Sequence, residues 1–220
     1  MSEQERNQPW IDRWESGQIG WHEPDGNANL KQHWRCEGRR VLVPLCGKTP
    51  DLAWLAARGN EVVGIEVSTI AAEAFFAERG LEYEQTAGDT PVFSAAAAPI
   101  TIVCGDYFDV RPEHTGGDFD ACYDRGALVA IPPESRDRYV QTTRSLLKTR
   151  ADYLLIAVEY DQSVAPGPPF SVDEATVQRF LPGLERVADV DDLANCPPKF
   201  LDAGLDAFRE VVYRGELAPD

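Results

Sequence analysis

Short apolar runs alternate with amphipathic stretches along most of the chain, and this alternation limits the fold more than any other feature of the sequence. The apolar runs predict strands at residues 41–45, 62–67, 100–104, 119–123, 153–159 and 208–213, and the pattern between residues 83 and 98 indicates a small hairpin. Strands that are apolar on both sides and alternate with helices form a mostly parallel sheet covered on both faces. The predicted fold class is therefore α/β with a doubly wound sheet.

The letters GKT at residues 47–49 match the end of a nucleotide phosphate-binding loop. Such a loop needs another glycine five residues earlier, but that position is Leu42, inside an apolar run. We therefore interpret the segment as a turn from strand to helix. In this turn Thr49 caps the helix and Pro50 takes its first position. Further helices are predicted from Ser68 to Gly80 and over residues 134–147.

The charge balance argues against a nucleic acid partner. The chain has 37 acidic and 21 basic residues, a net charge of −16, and its basic residues are scattered, so a polyanion is repelled. Its five cysteines include no C-x-x-C pair, which predicts free thiols, a reducing cytoplasm and no metal site. No run reaches the roughly 18 apolar residues of a membrane span, and the first residues lack the apolar run of a signal peptide.

Glu66 ends the second predicted strand, about 20 residues after the first turn, where a carboxylate reaches the two hydroxyls of a ribose. In doubly wound sheets the ligand lies beyond the carboxyl ends of the strands. The first turn contains one glycine, Gly47, whereas a dinucleotide needs a G-x-G-x-x-G turn for its pyrophosphate. A nucleoside without phosphates therefore fits better than NAD. Taken alone, Glu66 is equally typical of a solvated carboxylate at a strand end.

Asp106 follows the strand at residues 100–104 and is the second candidate carboxylate. It can accept a hydrogen bond from an adenine amino group while Tyr107 or Phe108 packs on the ring. By itself Asp106 is more typical of a residue that caps a turn. It becomes informative when paired with Glu66 at neighbouring strand ends.

Several further motifs resemble the thiopurine S-methyltransferase family, in its bacterial type. The similarity extends from about Trp10 to the last predicted strand, and PLCGK, DRGAL and PGPPF in this order are specific to that family among S-adenosylmethionine-dependent methyltransferases. The segments that carry the resemblance are WIDRW (10–14), GWH (20–22), PLCGK (44–48), VGIEVS (63–68), FD (119–120), DRGALVAI (124–131) and PGPPF (166–170).

The resemblance implies a class I S-adenosylmethionine-dependent methyltransferase with one Rossmann-like domain. Residues 35–220 would hold a mostly parallel seven-stranded sheet, and residues 1–34 would form an N-terminal helical lid. The implied reaction is methyl transfer to the sulfur of small heteroaromatic thiols such as thiopurines, with selenium- or tellurium-oxyanion-derived species as further candidate acceptors. A monomer is the default expectation.

The resemblance also assigns residues to the two ligands. Trp10 and Trp14 would lie over the cofactor, and Arg125 would lie beside the acceptor as the catalytic residue. The implied cofactor-binding residues are Trp10, Trp14, Leu45, Gly47, Glu66, Asp106, Tyr107 and Arg125. The implied acceptor-binding residues are Trp21, Pro168, Pro169 and Phe170. A basic residue near the acceptor in mammalian members aligns only loosely with Lys199, and Asp106 stands where those members carry a small polar residue.

Structural interpretations stay open for several of these residues. Trp10 and Trp14 are four residues apart, which is also typical of a helix that packs one apolar stripe on a core. Arg125 can form a surface ion pair with Asp124 or Glu159. The two prolines can simply stiffen a loop.

Other functions also stay open. A related architecture methylates halide or thiocyanate, and a degenerate member of the fold could bind S-adenosylmethionine as a scaffold. The absence of a G-x-G-x-x-G turn argues against an NAD-linked oxidoreductase. A heteroaromatic thiol is largely ionised near neutral pH, so Arg125 need only hold the anion or orient a water. His22 is an alternative proton acceptor.

Overall fold

One sheet of nine strands forms the centre of the computed structural model, which describes residues 3–217. The strands are β1 (Arg40–Pro44), β2 (Glu61–Glu66), β3 (Tyr83–Gln85), β4 (Val92–Ala95), β5 (Ile100–Cys104), β6 (Phe119–Arg125), β7 (Leu147–Glu159), β8 (Leu184–Asp191) and β9 (Arg209–Glu216). Their order across the sheet is β3-β4-β5-β2-β1-β6-β7-β9-β8. The five central strands, from β5 to β7, are parallel, and the remaining pairings are antiparallel.

The prediction of a doubly wound α/β sheet is confirmed, but the number of strands was wrong. Within residues 3–217 the sheet has nine strands rather than seven. The β3–β4 hairpin, whose position the sequence indicated, pairs with β5 and so extends the sheet beyond the parallel strands. The pattern reading missed β8, because that strand lies at the sheet edge and most of its residues are exposed, which removes the apolar signal.

Eight α-helices accompany the strands within residues 3–217. They are α1 (Glu3–Glu15), α2 (Ala28–His33), α3 (Asp51–Ala56), α4 (Thr69–Arg79), α5 (Pro112–Thr115), α6 (Arg136–Leu146), α7 (Glu174–Phe180) and α8 (Pro198–Asp202). The predicted ends of α4 are confirmed, since the Ser68 side chain accepts a hydrogen bond from the N–H of Ala71 and Gly80 is left-handed. None of the helices in this part of the chain is long and apolar enough to cross a membrane.

Both faces of the sheet are covered by apolar side chains. Leu42 of β1 belongs to the cluster on one face, which includes Tyr139 of α6. Its neighbour Val41 belongs to the cluster on the other face, with Leu52 of α3 and Phe75 of α4. This alternation follows from the two-residue period of a strand, and it explains why the central strands are apolar on both sides.

The strand order reverses between β1 and β6. From β1 the chain proceeds outward through β2 to β5, and from β6 it proceeds outward through β7 on the opposite side. The carboxyl ends of these parallel strands lie at the same edge of the sheet. This edge is where ligands bind in doubly wound sheets, and it holds the predicted site.

Candidate active site

Glu66, at the end of β2, is buried and bonded to the backbone. One carboxylate oxygen accepts the N–H of Gly47 at 2.8 Å, and the other accepts the N–H of Ser68 at 2.9 Å. Burial raises the pKa of Glu66, although the hydrogen bonds from Ser68 and Gly47, and to a smaller degree the nearby N–H of Val67, oppose the rise. Each oxygen keeps a lone pair, so the carboxylate can accept a pair of neighbouring hydroxyl groups.

The turn after β1 is tightly wound around Leu45 and Gly47, which have φ angles of 46° and 54°. Only glycine adopts such an angle freely, so Leu45 is strained in this turn. A Cβ atom on Gly47 would lie 3.1 Å from the ring of Trp14. The predicted cofactor residues Gly47 and Trp14 are therefore in contact, and the contact holds α1 against the strand ends.

Three tryptophans cluster where α1 meets the segment that follows it. The ring of Trp21 lies edge-on to Trp10, with centroids 5.4 Å apart, and edge-on to Trp14, with centroids 6.0 Å apart. The guanidinium of Arg13 lies 5.1 Å from the Trp10 ring centroid and 5.7 Å from that of Trp21. The structure thus brings together two predicted cofactor residues and one predicted acceptor residue, and adds a cation that the sequence did not indicate.

Asp106 is buried after β5 and receives donors from α1. Its Oδ2 atom accepts the side chains of Arg6 and Asn7, while its Oδ1 atom accepts the N–H of Phe108 at 2.9 Å. The predicted role as a turn cap is therefore present, together with a contact to α1 that no local pattern indicates.

Tyr107 points away from the strand ends. Its ring is stacked on Tyr139 with centroids 5.2 Å apart, and its hydroxyl is 2.8 Å from the hydroxyl of Thr143. The side chain lies in the core cluster that covers one face of the sheet. Of the two aromatic residues considered for packing on an adenine ring, only the half-buried Phe108 lies beside Asp106 and Arg6.

Arg125 ends β6 and is bonded to the N-terminal segment. Its guanidinium donates to the carbonyl of Trp21 at 2.8 Å and forms an ion pair with Glu23. The sequence left open an ion pair of Arg125 with Asp124 or Glu159, but the structure pairs Arg125 with Glu23. Asp124 is fully buried. The Asp124 carboxylate instead accepts bonds from two tyrosine hydroxyls and the N–H of Leu128; the tyrosines are Tyr139 and Tyr153.

The PGPPF segment is fixed by hydrogen bonds from three parts of the chain. The carbonyl of Pro168 accepts Lys199 Nζ at 2.8 Å, and the carbonyl of Pro169 accepts the hydroxyl of Tyr160 at 2.7 Å. The N–H of Phe170 donates to Val129, in the segment that follows Arg125. Burial lowers the pKa of Lys199, and the charge of Arg13 lowers it further. The charge of Arg13, which packs on Trp10 and Trp21, thus acts on Lys199 at the PGPPF segment.

His22 follows Trp21 and is half-buried. Burial lowers the pKa of His22, and the positive charge of Lys48 lowers it further. Both effects favour the neutral imidazole, which has an unprotonated ring nitrogen, and make it a weaker base than an exposed histidine.

A polar cluster behind Arg125 was missed by the sequence reasoning. Asn27, whose side chain caps α2, also donates to Glu23 at 3.1 Å and to Glu210 at 3.4 Å. Asp51 accepts the N–H of Asn27 at 2.9 Å and the hydroxyl of Tyr123 at 2.8 Å. The local signals were the capping position of Asn27 and its spacing of four residues from Glu23, whereas Asp51, Tyr123 and Glu210 lie far away in the chain.

A cleft of about 480 Å³ opens beside the ends of β2 and β5. One side is formed by residues that follow these strands, and the other side is formed by α1. The lining residues are Asn7, Gln8, Ile11, Val67, Thr69, Asp89, Pro91, Cys104, Gly105 and Asp106. A larger cleft of about 610 Å³ between α6 and α7 contains none of the predicted site residues. Of the predicted site residues, Asp106 lines the first cleft, so this cleft marks the Asp106 part of the candidate site.

Solved methyltransferase structures share this fold. The 1,6-didemethyltoxoflavin-N1-methyltransferase of Burkholderia thailandensis, solved with 1,6-didemethyltoxoflavin and S-adenosylhomocysteine, is similar with a TM-score of 0.64 and 17% identity, over 100% of this chain and 92% of that chain. A TehB-like methyltransferase from Corynebacterium glutamicum has a TM-score of 0.52 and 14% identity, over 94% of this chain and 96% of that chain. The chain therefore has the fold of the class I S-adenosylmethionine-dependent methyltransferases.

Sequence similarity then identifies the family. The family model for thiopurine S-methyltransferase matches residues 5–217. A thiopurine S-methyltransferase of Pseudomonas syringae pv. syringae is 43% identical over 211 residues, covering 93% of this chain and 94% of that protein. One from Xanthomonas euvesicatoria is 40% identical over 214 residues, covering 93% and 96%. The chain belongs to the thiopurine S-methyltransferase family, and its cofactor is S-adenosylmethionine.

Proposed function

We propose that this methyltransferase acts on the sulfur of small heteroaromatic thiols, such as thiopurines, with selenium- or tellurium-oxyanion-derived species as further acceptors. The observation that carries the proposal is a set of three cations beside aromatic and proline walls: Arg13 against Trp10 and Trp21, Lys199 on Pro168, and Arg125 on Trp21. Among the side chains of residues 5–217, none gives Arg13 or Lys199 a carboxylate partner. In a chain of net charge −16, this arrangement favours a flat anion such as a heteroaromatic thiolate.

The residues at the strand ends fit the nucleoside part of the cofactor. In the proposal Glu66 binds the ribose hydroxyls, Asp106 and Phe108 bind the base, and Leu45, Gly47 and Trp14 enclose the site. The support is that Glu66 is buried without a cation partner among the described residues and keeps one lone pair on each oxygen. A carboxylate in that state is stabilised by hydroxyl donors. Because Tyr107 is buried in the core, it supports the strand end, and Phe108 is the aromatic residue that packs on the base.

The chain's own groups hold the acceptor and exclude water. The cofactor would supply a methyl group on a positively charged sulfonium: transfer to the acceptor thiolate would break the methyl–sulfonium bond, release neutral S-adenosylhomocysteine and cancel both charges. Arg125, Arg13 and Lys199 keep the acceptor anionic by electrostatic stabilisation. Trp10, Trp21 and the PGPPF segment exclude water, which strengthens these interactions. A thiol that binds protonated can give its proton to the neutral His22 imidazole or to water.

We also propose that α1 is a lid over the core formed by residues 35–220, and that the protein is a cytoplasmic monomer. The five free cysteines support a reducing compartment. The lid is supported by the contact of Trp14 with Gly47 and by the position of α1 beside the cleft. Deleting the first sixteen residues is expected to leave a folded sheet and to weaken S-adenosylhomocysteine binding. Unchanged affinity in the truncated protein would contradict the lid.

The test of the proposed acceptor is a product assay with matched compounds. Purified protein is given S-adenosylmethionine and, in separate reactions, 6-mercaptopurine, hypoxanthine, thiocyanate, iodide, selenite or tellurite, and methylated products are identified by mass spectrometry. We expect S-methylation of 6-mercaptopurine and no product from hypoxanthine, which replaces the sulfur by oxygen. Products from iodide or thiocyanate alone would favour the halide-type activity. Binding of S-adenosylhomocysteine with no product from any acceptor would favour the scaffold.

A further inference from the structure

Asp106 connects α1 to the strand ends. Its side chain is only 2% exposed, and that of Arg6 is 14% exposed. Arg6 and Asn7 both donate to Oδ2, the latter at 3.1 Å. Because an ion pair removed from water is screened less than a surface pair, this contact holds α1 more strongly than its exposed side chains do.

Arg6 also packs on the aromatic ring next to this carboxylate. Its guanidinium carbon lies 5.2 Å from the centroid of Phe108, and Phe108 itself donates its N–H to Asp106. Asn7 and Asp106 both line the 480 Å³ cleft. One residue of α1 therefore fixes both the carboxylate and the ring that a purine base would meet.

The two oxygens of Asp106 are used unequally. Oδ2 accepts two side chains from α1, whereas Oδ1 accepts one backbone N–H. Oδ1 keeps a lone pair for one more donor, such as the exocyclic amino group of a base. A ligand on Oδ1 and helix α1 on Oδ2 therefore share one carboxylate without competing for the same oxygen.

We propose that Arg6 and Asn7 are positioning residues for the cofactor, which fasten α1 over the adenosine part through Asp106. Holding Asp106 and Phe108 in place lowers the entropy lost when the base binds, and the bound base in turn favours the docked helix. Helix docking and cofactor binding are then coupled through one carboxylate. The inference rests on the family's cofactor and is independent of the thiol acceptor.

The test compares two arginines that pack on the same ring. Arg6→Gln removes the ion pair between α1 and Asp106. Arg138→Gln removes a cation of α6, which lies 4.6 Å from the Phe108 ring centroid and pairs with Asp109. Calorimetry gives the Kd for S-adenosylhomocysteine, and tryptophan fluorescence reports α1 docking through Trp10 and Trp14. We expect Arg6→Gln to raise the Kd about tenfold, and Arg138→Gln to change it less than about twofold.

A second pair of variants measures the coupling. Asn7→Ala is expected to raise the Kd about threefold. In the double variant Arg6→Gln with Asp106→Asn, the loss of binding free energy is expected to be smaller than the sum of the two single losses, because both changes remove the same contact. Equal Kd values for Arg6→Gln and the unmodified protein, with the tryptophan signal unchanged, would overturn the inference. A lower melting temperature for Arg6→Gln with an unaltered Kd would also overturn it, since that result describes a purely structural contact. No acceptor is present in these measurements, so their outcome is separate from that of the product assay.

Discussion

Glu66 and Arg125 both end parallel strands near the point where the strand order reverses, yet they are held in different ways. Glu66 is bonded to backbone N–H groups of Gly47 and Ser68, within a short stretch of chain. Arg125 is bonded to Trp21 and Glu23, more than a hundred residues earlier. The proposed ribose side of the site is thus part of the sheet, whereas the proposed acceptor side depends on the docking of the N-terminal segment.

This difference bears on specificity. Backbone donors stay in place whatever side chains surround them, so a site built from them can keep one cofactor. The acceptor side is formed by side chains from α1, the PGPPF segment and Lys199, and a change in any of them alters its shape and charge. We therefore expect changes at the two sides to affect different ligands.

The largest effect is expected for Glu66→Gln. Glutamine has one acceptor oxygen, and its second oxygen position is replaced by an NH₂ donor. One of the two backbone N–H groups and one ribose hydroxyl would therefore lose their acceptor. The Kd for S-adenosylhomocysteine, measured by calorimetry, should rise about 100-fold. The exposed Glu73→Gln on α4 is the control and should leave the Kd unchanged. A rise below about threefold for Glu66→Gln would place the ribose elsewhere.

The next effect is expected for Arg125→Gln. The change removes the bonds to Trp21 and Glu23 and one cation beside the acceptor, so kcat/KM for the thiol should fall about 30-fold, while the Kd for S-adenosylhomocysteine should change less than about threefold. Arg214→Gln is the control, because Arg214 also donates from a strand to a carbonyl of the N-terminal segment, that of His33. If Arg125→Gln lowered kcat/KM for the thiol and the affinity for S-adenosylhomocysteine by the same factor, the distinction between the two sides would be removed.

A smaller effect is expected for Gly47→Ala, which adds a Cβ atom 3.1 Å from Trp14 in a residue with φ of 54°. The Kd for S-adenosylhomocysteine should rise about tenfold, because α1 must shift. Gly80→Ala is the matched control: its φ is 61°, and its Cβ would have no atom within 4 Å. The control should lower the melting temperature without altering the Kd. Equal Kd changes in both variants would show that Trp14 is not in contact with the turn.

The smallest effect is expected for Glu210→Gln and depends on pH. Burial raises the pKa of Glu210, against the opposing bond from Asn29. A carboxyl group with a raised pKa in the folded state favours folding most when protonated, and this contribution is lost as pH rises through the folded pKa. The uncharged amide should therefore raise the melting temperature by about 2 °C at about pH 8, and by less as the pH falls toward 5. An increment that grows at low pH would contradict the raised pKa.

The sequence predicted the position of Glu66 beside the first turn because that part of the structure is local. One segment, from the first strand through its turn and helix to the second strand, contains the single glycine of the turn and Glu66, and the cap at Ser68 follows directly. Within such a segment the hydrophobic period and the residue spacing determine where each residue lies. The structure places Glu66 in contact with that turn, as the spacing predicts.

The adenine and acceptor parts of the site were less accessible to sequence reasoning. The partners of Arg125 and Asp106 lie about a hundred residues away, and no local period encodes such a pairing. The inward direction of Tyr107 depends on Tyr139 and Thr143, which belong to a later helix. Resemblance named the acceptor residues, but only the packed structure shows what holds them.

The bond between Asp51 and Asn27 fixes the N-terminal segment at one point of the core. A Cβ atom on Gly26 would lie 2.5 Å from an oxygen of Asp51, so the chain passes too closely for any other residue. Residues 16–26 thus act as a tether between this point and α1, and a fully extended tether of that length spans about 35 Å. An undocked α1 would remain at millimolar-scale effective concentration, roughly, near its own docking surface. Closure of the proposed lid would therefore be an intramolecular equilibrium, independent of protein concentration.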